Sequence, residues 1–216
     1  MLYGKLLDIK VILDTVCPWS FIGKRRLEKA LTLMPIKNYS VSWEPYQINP
    51  TIPVHGLERK TYLEEKFGSI KHAKKVSRNL EIVGSEIGIE FHFEKIKCTP
   101  NTVLSHRLIQ YASRHKINLS KLIDNLFIGF FKNGEDIGSA NNLKNIAVQH
   151  GLNGDDFLNY ISSEVDHMLV LKKDEGFRRL GIQSVPCFII DGKYTVSGAQ
   201  PPEIFHKVFD LAQQVI

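Results

Sequence analysis

The segment Asp14-Thr15-Val16-Cys17-Pro18-Trp19-Ser20 constrains this chain more than any other, because two different periodicities meet there. Upstream, Ile9-Lys10-Val11-Ile12-Leu13 is a short apolar run with β-branched residues, which predicts a buried strand. Downstream, Leu27, Ala30, Leu31 and Met34 recur at the spacing of one helical face. Pro18 suits a first helical position, where its missing N–H costs nothing. Cys17 is thereby placed at a helix N-terminus, whose free amides and dipole favour negative charge. Such a setting lowers a thiol's pKa and makes it a nucleophile. Asp14 closes the strand beside it, and either relays protons to the thiol or caps the junction.

Beyond this junction, Tyr39-Ser40-Val41-Ser42-Trp43 alternates as a second strand, and the short helical connection predicts parallel pairing. Gln47 to Pro53 is punctuated by proline and reads as loop. From residue 57 to Phe177 the pattern is helical. Leu119, Leu122, Ile123, Leu126, Phe127 and Phe130 form a wide apolar stripe; Ser139 and Gly151 bracket a helix carrying Leu143, Ile146 and Ala147. The basic cluster Lys71-His72-Ala73-Lys74-Lys75 reads as a solvated helix face. Sheet texture returns at Cys187-Phe188-Ile189-Ile190, then Asp191-Gly192 signals a two-residue hairpin before Tyr194-Thr195-Val196. Pro201 and Pro202 open a last helix with Ile204, Phe205, Val208, Phe209, Ala212 and Val215 on one face. The order β-α-β, helical insert, β-β-α predicts an α/β chain. A thioredoxin-like domain spans residues 1–56 and 178–216, and a helical insertion domain spans 57–177.

Of 216 residues, 43% are hydrophobic and 24% charged, which is the composition of a globular domain and leaves disordered and fibrous classes aside. The net charge of +5 comes with no arginine-rich run or RNA-binding motif, so no nucleic-acid partner is expected. The eight histidines lack paired ligand spacing, and no metal site is predicted. Three cysteines, Cys17, Cys98 and Cys187, are too few and too odd for a disulfide framework. The first strand begins within ten residues of Met1 and no apolar run is long enough to cross a bilayer. These features predict a cytoplasmic protein without a membrane partner.

Cys17-Pro18-Trp19-Ser20-Phe21-Ile22-Gly23, Pro100-Asn101-Thr102, Ser184-Val185-Pro186 and Val196-Ser197-Gly198-Ala199-Gln200-Pro201-Pro202-Glu203 together resemble the DsbA-like thioredoxin superfamily. The pattern is most similar to the FrnE-type oxidoreductases, cousins of 2-hydroxychromene-2-carboxylate isomerase and the kappa-class glutathione transferases. The resemblance implies a thioredoxin fold, thiol-disulfide or glutathione chemistry, and a cis bond between Val185 and Pro186 facing the active cysteine. It makes glutathione the expected co-substrate, with no tightly bound cofactor. A small thiol or disulfide, or a protein disulfide, would be the substrate, and the glutathione-using cousins suggest a homodimer. FrnE-type sequences commonly carry cysteine where this chain has Ser20. Without that second thiol, Cys17 cannot store an internal disulfide. Monothiol chemistry is what remains, with Ser20 able to donate a hydrogen bond to the Cys17 thiolate.

The catalytic candidates are therefore Cys17, Pro18, Trp19 and Ser20, with Trp19 either a lid over the thiol or a packed aromatic. The glutathione-binding candidates are Asn49, Asn101, Val185, Pro186, Gly198, Ala199 and Gln200. Asn49 is equally a turn residue, and Asn101 or Thr102 a helix cap. Gly198, Ala199 and Gln200 lead into a helix N-terminus that would suit a carboxylate. Cys187 reads as a buried filler residue rather than a resolving thiol. Two other functions stay open: a glutathione-dependent isomerase or transferase, and a non-catalytic module that binds extended peptides beside Pro186.

Overall fold

The computed structural model describes residues 6–34 and 38–214. The elements begin with β1 (Leu7–Leu13), α1 (Pro18–Leu33), β2 (Tyr39–Pro45), β3 (Leu57–Glu58), α2 (Arg59–Phe67) and α3 (Ile70–Ser85). They continue with β4 (Cys98–Thr99), α4 (Val103–Ser113), α5 (Leu119–Ile128), α6 (Ala140–Gln149), α7 (Gly154–Ser162) and α8 (His167–Arg179). The chain closes with β5 (Cys187–Ile190), β6 (Tyr194–Ser197) and α9 (Pro202–Gln213). Two compact units result: Met1–Ile48 with Lys173–Ile216, and Asn49–Lys172.

The first unit is built on a four-stranded sheet of order β2-β1-β5-β6. β1 pairs parallel to β2 and antiparallel to β5, and β5 pairs antiparallel to β6. Ile9, Val11, Ile12 and Leu13 are all buried, so the central strand is covered on both faces and its apolar run needs no alternation. On one face α9 packs against α1, β1, β5 and β6. There the Phe188 and Phe205 rings meet edge to face at 4.8 Å, with Phe209 completing the stack. Lys24 of α1 is fully buried; its ammonium is held by Glu28 at 2.6 Å and lies 5.7 Å from the Trp43 ring centroid. In α1 the expected face is present as buried Leu27, Ala30 and Leu31, while Met34 caps the helix instead of continuing it. In α9 Phe205, Phe209 and Ala212 are buried; Val215 lies outside the described residues.

The turn after β5 differs from the two-residue hairpin expected. Ile190 pairs with Tyr194, leaving a three-residue loop closed by the Lys193 amide donating to the Ile190 carbonyl at 3.1 Å. The cause is Asp191. Its N–H donates to the Asp8 carbonyl at 2.8 Å and its carboxylate accepts the Asp8 N–H at 2.9 Å, which extends the β1 ladder by one residue. Asp191 and Gly192 then take positive φ of 52° and 64°, and the chain needs Lys193 to return.

The second unit is helical, with the short β3–β4 ladder added. Cys98 sits in β4. Gly56, at φ +82°, makes room for it, since a Cβ there would stand 2.5 Å from the Cys98 sulfur. Of the predicted stripe, Leu122, Ile123, Leu126, Phe127 and Phe130 are fully buried, while Leu119 at its start is only partly so. Phe130, however, lies in a π-helical turn, Gly129–Asn133, which ends at Gly134 with φ 74°. Arg107 is buried at the C-terminal end of α7. It donates to the carbonyls of Tyr160, Ile161, Ser163 and Val165, neutralising acceptors that the helix end leaves open. Lys71, His72, Lys74 and Lys75 face solvent while Ala73 is buried, as a solvated helix face requires. Among the described residues no helix is long and apolar enough to cross a membrane.

Gly23 marks the tightest approach in the first unit, because a Cβ there would lie 2.5 Å from Pro186 Cγ and 3.2 Å from Phe188 Cζ. Gly23→Ala is expected to cost about 1–3 kcal/mol of unfolding free energy through overpacking. Chemical denaturation measures this as a lower midpoint, and an unchanged midpoint would refute the close approach.

Candidate active site

Cys17 emerges from a tight turn in which its N–H donates to the Asp14 carbonyl at 3.0 Å. It is the N-cap of α1, at φ −94° and ψ 114°, with Pro18 immediately following. The amides of Ser20 and Phe21 donate to the Cys17 carbonyl at 3.0 and 3.4 Å, and no first-turn amide is capped by the sulfur. The thiol instead donates to the Val185 carbonyl at 3.5 Å. The Val185–Pro186 bond is cis, and the Pro186 carbonyl accepts the Gly198 N–H at 2.8 Å. The structure thus brings Cys17, Val185, Pro186 and Gly198 together within one unit.

Cys17 is 5% exposed and belongs to an apolar cluster with Ile12, Tyr46, Phe177, Val185 and Cys187. Its sulfur is more enclosed than a residue lining an open groove. Burial opposes the thiolate, and the dipole of α1 favours it. Trp19 is 43% exposed, so it is not a core aromatic. Ser20 is buried, and its hydroxyl accepts the Asp14 N–H at 3.4 Å. Asp14 is buried as well. Its carboxylate accepts the Ile48 N–H at 2.7 Å and the Val16 N–H at 3.5 Å, which ties the turn carrying Cys17 to the end of β2.

A charged cluster that sequence reasoning missed braces the same end of the sheet. Arg178 lies over the Tyr46 ring at 4.2 Å and binds Asp174 at 3.1 Å, while its guanidinium also reaches the Gln47 carbonyl. Asp174 accepts the Gln47 N–H at 3.1 Å, and the Tyr46 hydroxyl donates to the Ile182 carbonyl at 3.2 Å. Burial pushes the Tyr46 phenol above its ordinary value, against the pull of Arg178. The cluster fixes the segment leading to Val185. Its members lie far apart in the chain, and no local pattern announces them.

The remaining cysteines have a different character. Among the described residues, Cys17, Cys98 and Cys187 form no disulfide. Cys187 is 2% exposed and burial pushes its thiol up; burial does the same to Cys98, with Asp136 adding to it.

The amides expected to cradle a carboxylate before α9 are largely committed elsewhere. Gly198 N–H goes to Pro186, Gln200 N–H to the Gly198 carbonyl, and Arg26 occupies the Ala199 carbonyl. Pro201 and Pro202 carry no N–H, which leaves this helix start poor in donors. Asn49 and Asn101 belong to the helical unit. Asn49 donates to the Tyr62 hydroxyl at 3.0 Å. Asn101 donates to the Ile52 carbonyl at 2.8 Å and accepts the Val103 N–H at 3.0 Å, so it rather than Thr102 caps α4 through its side chain.

Residues 8–210 match the DSBA-like thioredoxin domain model. The chain belongs to the DSBA-like thioredoxin family. This DSBA-like chain is 25% identical over 211 residues to the uncharacterized protein YwbO of Bacillus subtilis, covering 95% of this chain and 97% of that one. It is 26% identical to a probable DsbA oxidoreductase of Streptomyces coelicolor, with a TM-score of 0.87 over 95% of this chain and 89% of that structure. At 11% identity it shares the fold of the cytosolic disulfide reductase DsbM of Pseudomonas aeruginosa, solved with GSH. That TM-score is 0.68 over 96% of this chain and the whole of the other.

The raised thiols carry a pH signature. A group whose folded pKa is raised contributes stability below its unfolded pKa, lost as pH rises through the folded value. For Cys98 and Cys187 the unfolded value is 9.0, so unfolding free energy is expected to hold near neutrality and fall above about pH 9. Denaturant titrations from neutral to alkaline pH should show a shallower fall in Cys187→Ala than in the parent. Parallel curves would show that Cys187 is not desolvated.

Proposed function

We propose that this protein is a monothiol, glutathione-linked thiol-disulfide oxidoreductase of the cytoplasm, with Cys17 as its nucleophile. Family membership makes it an enzyme of the thiol-oxidoreductase kind in general. The finer reading rests on one observation: a thiol at the start of α1 donates to the Val185 carbonyl beside Pro186, and the residue one turn on is Ser20. The protonated sulfur is held by Val185 at rest. Loss of that proton gives a thiolate beside a backbone segment whose Val185 groups can align an extended disulfide substrate. Trp19 and Pro18, at the more exposed edge of Cys17, supply the apolar contact for it.

In the first step the Cys17 thiolate attacks one sulfur of a disulfide. A Cys17–substrate disulfide forms, the original S–S bond breaks, and the electron pair leaves on the displaced sulfur as thiolate. Glutathione thiolate then attacks the substrate sulfur, which frees Cys17 and leaves a glutathione mixed disulfide; a second glutathione reduces that to a thiol and oxidised glutathione. Ser20 cannot resolve the intermediate, having no sulfur, and Cys187 is disfavoured as resolver because burial keeps it protonated.

Incubation with oxidised glutathione followed by intact-mass measurement should show one glutathione per chain, absent in Cys17→Ala. Turnover of a small disulfide with reduced glutathione should drop at least about a hundredfold in Cys17→Ala, as expected on removing a nucleophile. Ser20→Cys should replace the adduct with an internal disulfide. Full turnover by Cys17→Ala with no adduct on the parent would overturn the assignment and favour a transferase that activates glutathione itself.

A further inference from the structure

Within the helical unit, the loop before α2 and the first turns of that helix enclose a recess of about 380 Å³ lined by Asn49, Thr51, Ile52, Tyr62, Glu65 and Lys66. Its hydrogen-bonding chemistry is unbalanced. The Tyr62 hydroxyl accepts from Asn49 Nδ2 at 3.0 Å and from Lys66 Nζ at 2.8 Å, which uses both of its lone pairs. Its own O–H meets no acceptor among the described residues, although the side chain is only 7% exposed. Two cations bracket the same ring, the Arg59 guanidinium and the Lys66 ammonium, each 5.3 Å from its centroid. Among the described residues neither is paired with a carboxylate. Arg59 donates to Thr99 Oγ1 at 3.0 Å, and its Nε is buried with no partner at all.

The Tyr62 hydroxyl and Arg59 Nε are buried donors without acceptors, which is costly and which proteins ordinarily avoid. A recess with an idle phenolic O–H, an ammonium with spare N–H groups and a guanidinium behind the ring lacks one thing, an anion. The single acidic side chain on its wall is Glu65, which is exposed. A phosphate dianion would meet that carboxylate with like charge. A carboxylate that carries its own ammonium finds opposite charges on both sides.

We propose that this recess binds the α-amino carboxylate group of a small molecule. The carboxylate takes the Tyr62 O–H and the Lys66 ammonium, and the ligand's ammonium faces Glu65. A free amino acid and the γ-glutamyl end of glutathione share this chemistry. The site stands or falls independently of whether Cys17 is a nucleophile.

Titration calorimetry on the full chain distinguishes the two sources, using glutamate for one and S-methylglutathione, which cannot form a disulfide, for the other. At least one is expected to bind. Tyr62→Phe and Lys66→Gln should each weaken it about tenfold, the scale of one charge-assisted hydrogen bond. N-acetylation of the bound ligand should weaken it similarly by removing the ammonium. Circular dichroism checks the fold of each variant. Should Tyr62→Phe not fold, Lys66→Gln decides alone, since its side chain is exposed. Binding by neither compound, binding indifferent to the substitutions, or equal binding of the N-acetyl form would overturn the proposal.

Discussion

The antiparallel pairing of β1 with β5 is the interaction on which the rest of this molecule depends. It joins strands from opposite ends of the chain, with Ile12 opposite Cys187. Because β1 runs out toward Cys17 and β5 runs in from Pro186, this register sets the thiol and the Val185 carbonyl at one end of the sheet. Side chains in a strand alternate between faces, so a slip of one residue would turn Phe188 away from Phe205 and expel Cys187 from the cluster around Tyr46. The aromatic stack on one face and the apolar cluster on the other thus lock the register from both sides. The 3.5 Å contact between Cys17 and Val185 is a downstream product of that lock.

The three thiols show how environment divides one functional group into different roles. Cys187 and Cys98 are governed by desolvation, which favours the neutral form. Cys17 is also covered, but it alone sits at the start of a long helix, where the dipole acts in the opposite sense. Asp14 braces the turn before it, its carboxylate accepting the amides of Val16 and Ile48.

Much of the architecture is legible because strong local signals punctuate the sequence. Pro18 and the period of α1, the β-branched run of β1, and the prolines before α9 each name their element from residues close at hand. What local reading misses is non-local or very short. The β3–β4 ladder has two residues per strand, below any usable period. The π-turn at Gly129 continues the same apolar stripe as α5, so the change of helix type leaves the hydrophobic pattern intact. The loop after β5 gains a third residue through Asp8, a partner far away in the chain. At the site, Cys17, Ser20, Val185 and Pro186 announce themselves by motif. Tyr46, Asp174 and Arg178 do not, because their cluster exists only once the sheet has closed. Asn101 was legible as polar and loop-bound, and the structure employs it as a brace between Ile52 and the start of α4.

The interruption of the sheet by Asn49–Lys172 has a consequence for how the chain comes into being. On a ribosome, β1 and β2 are made first, yet β5 and β6 emerge only after the whole helical stretch. The helical unit has all of its own sequence in hand well before synthesis ends, and its contacts are mostly local, which favours early formation. The central strand, in contrast, must wait with one edge open until the last fifth of the polypeptide arrives. The reactive sulfur therefore gains its backbone neighbour, and with it its shelter, among the final events of biogenesis.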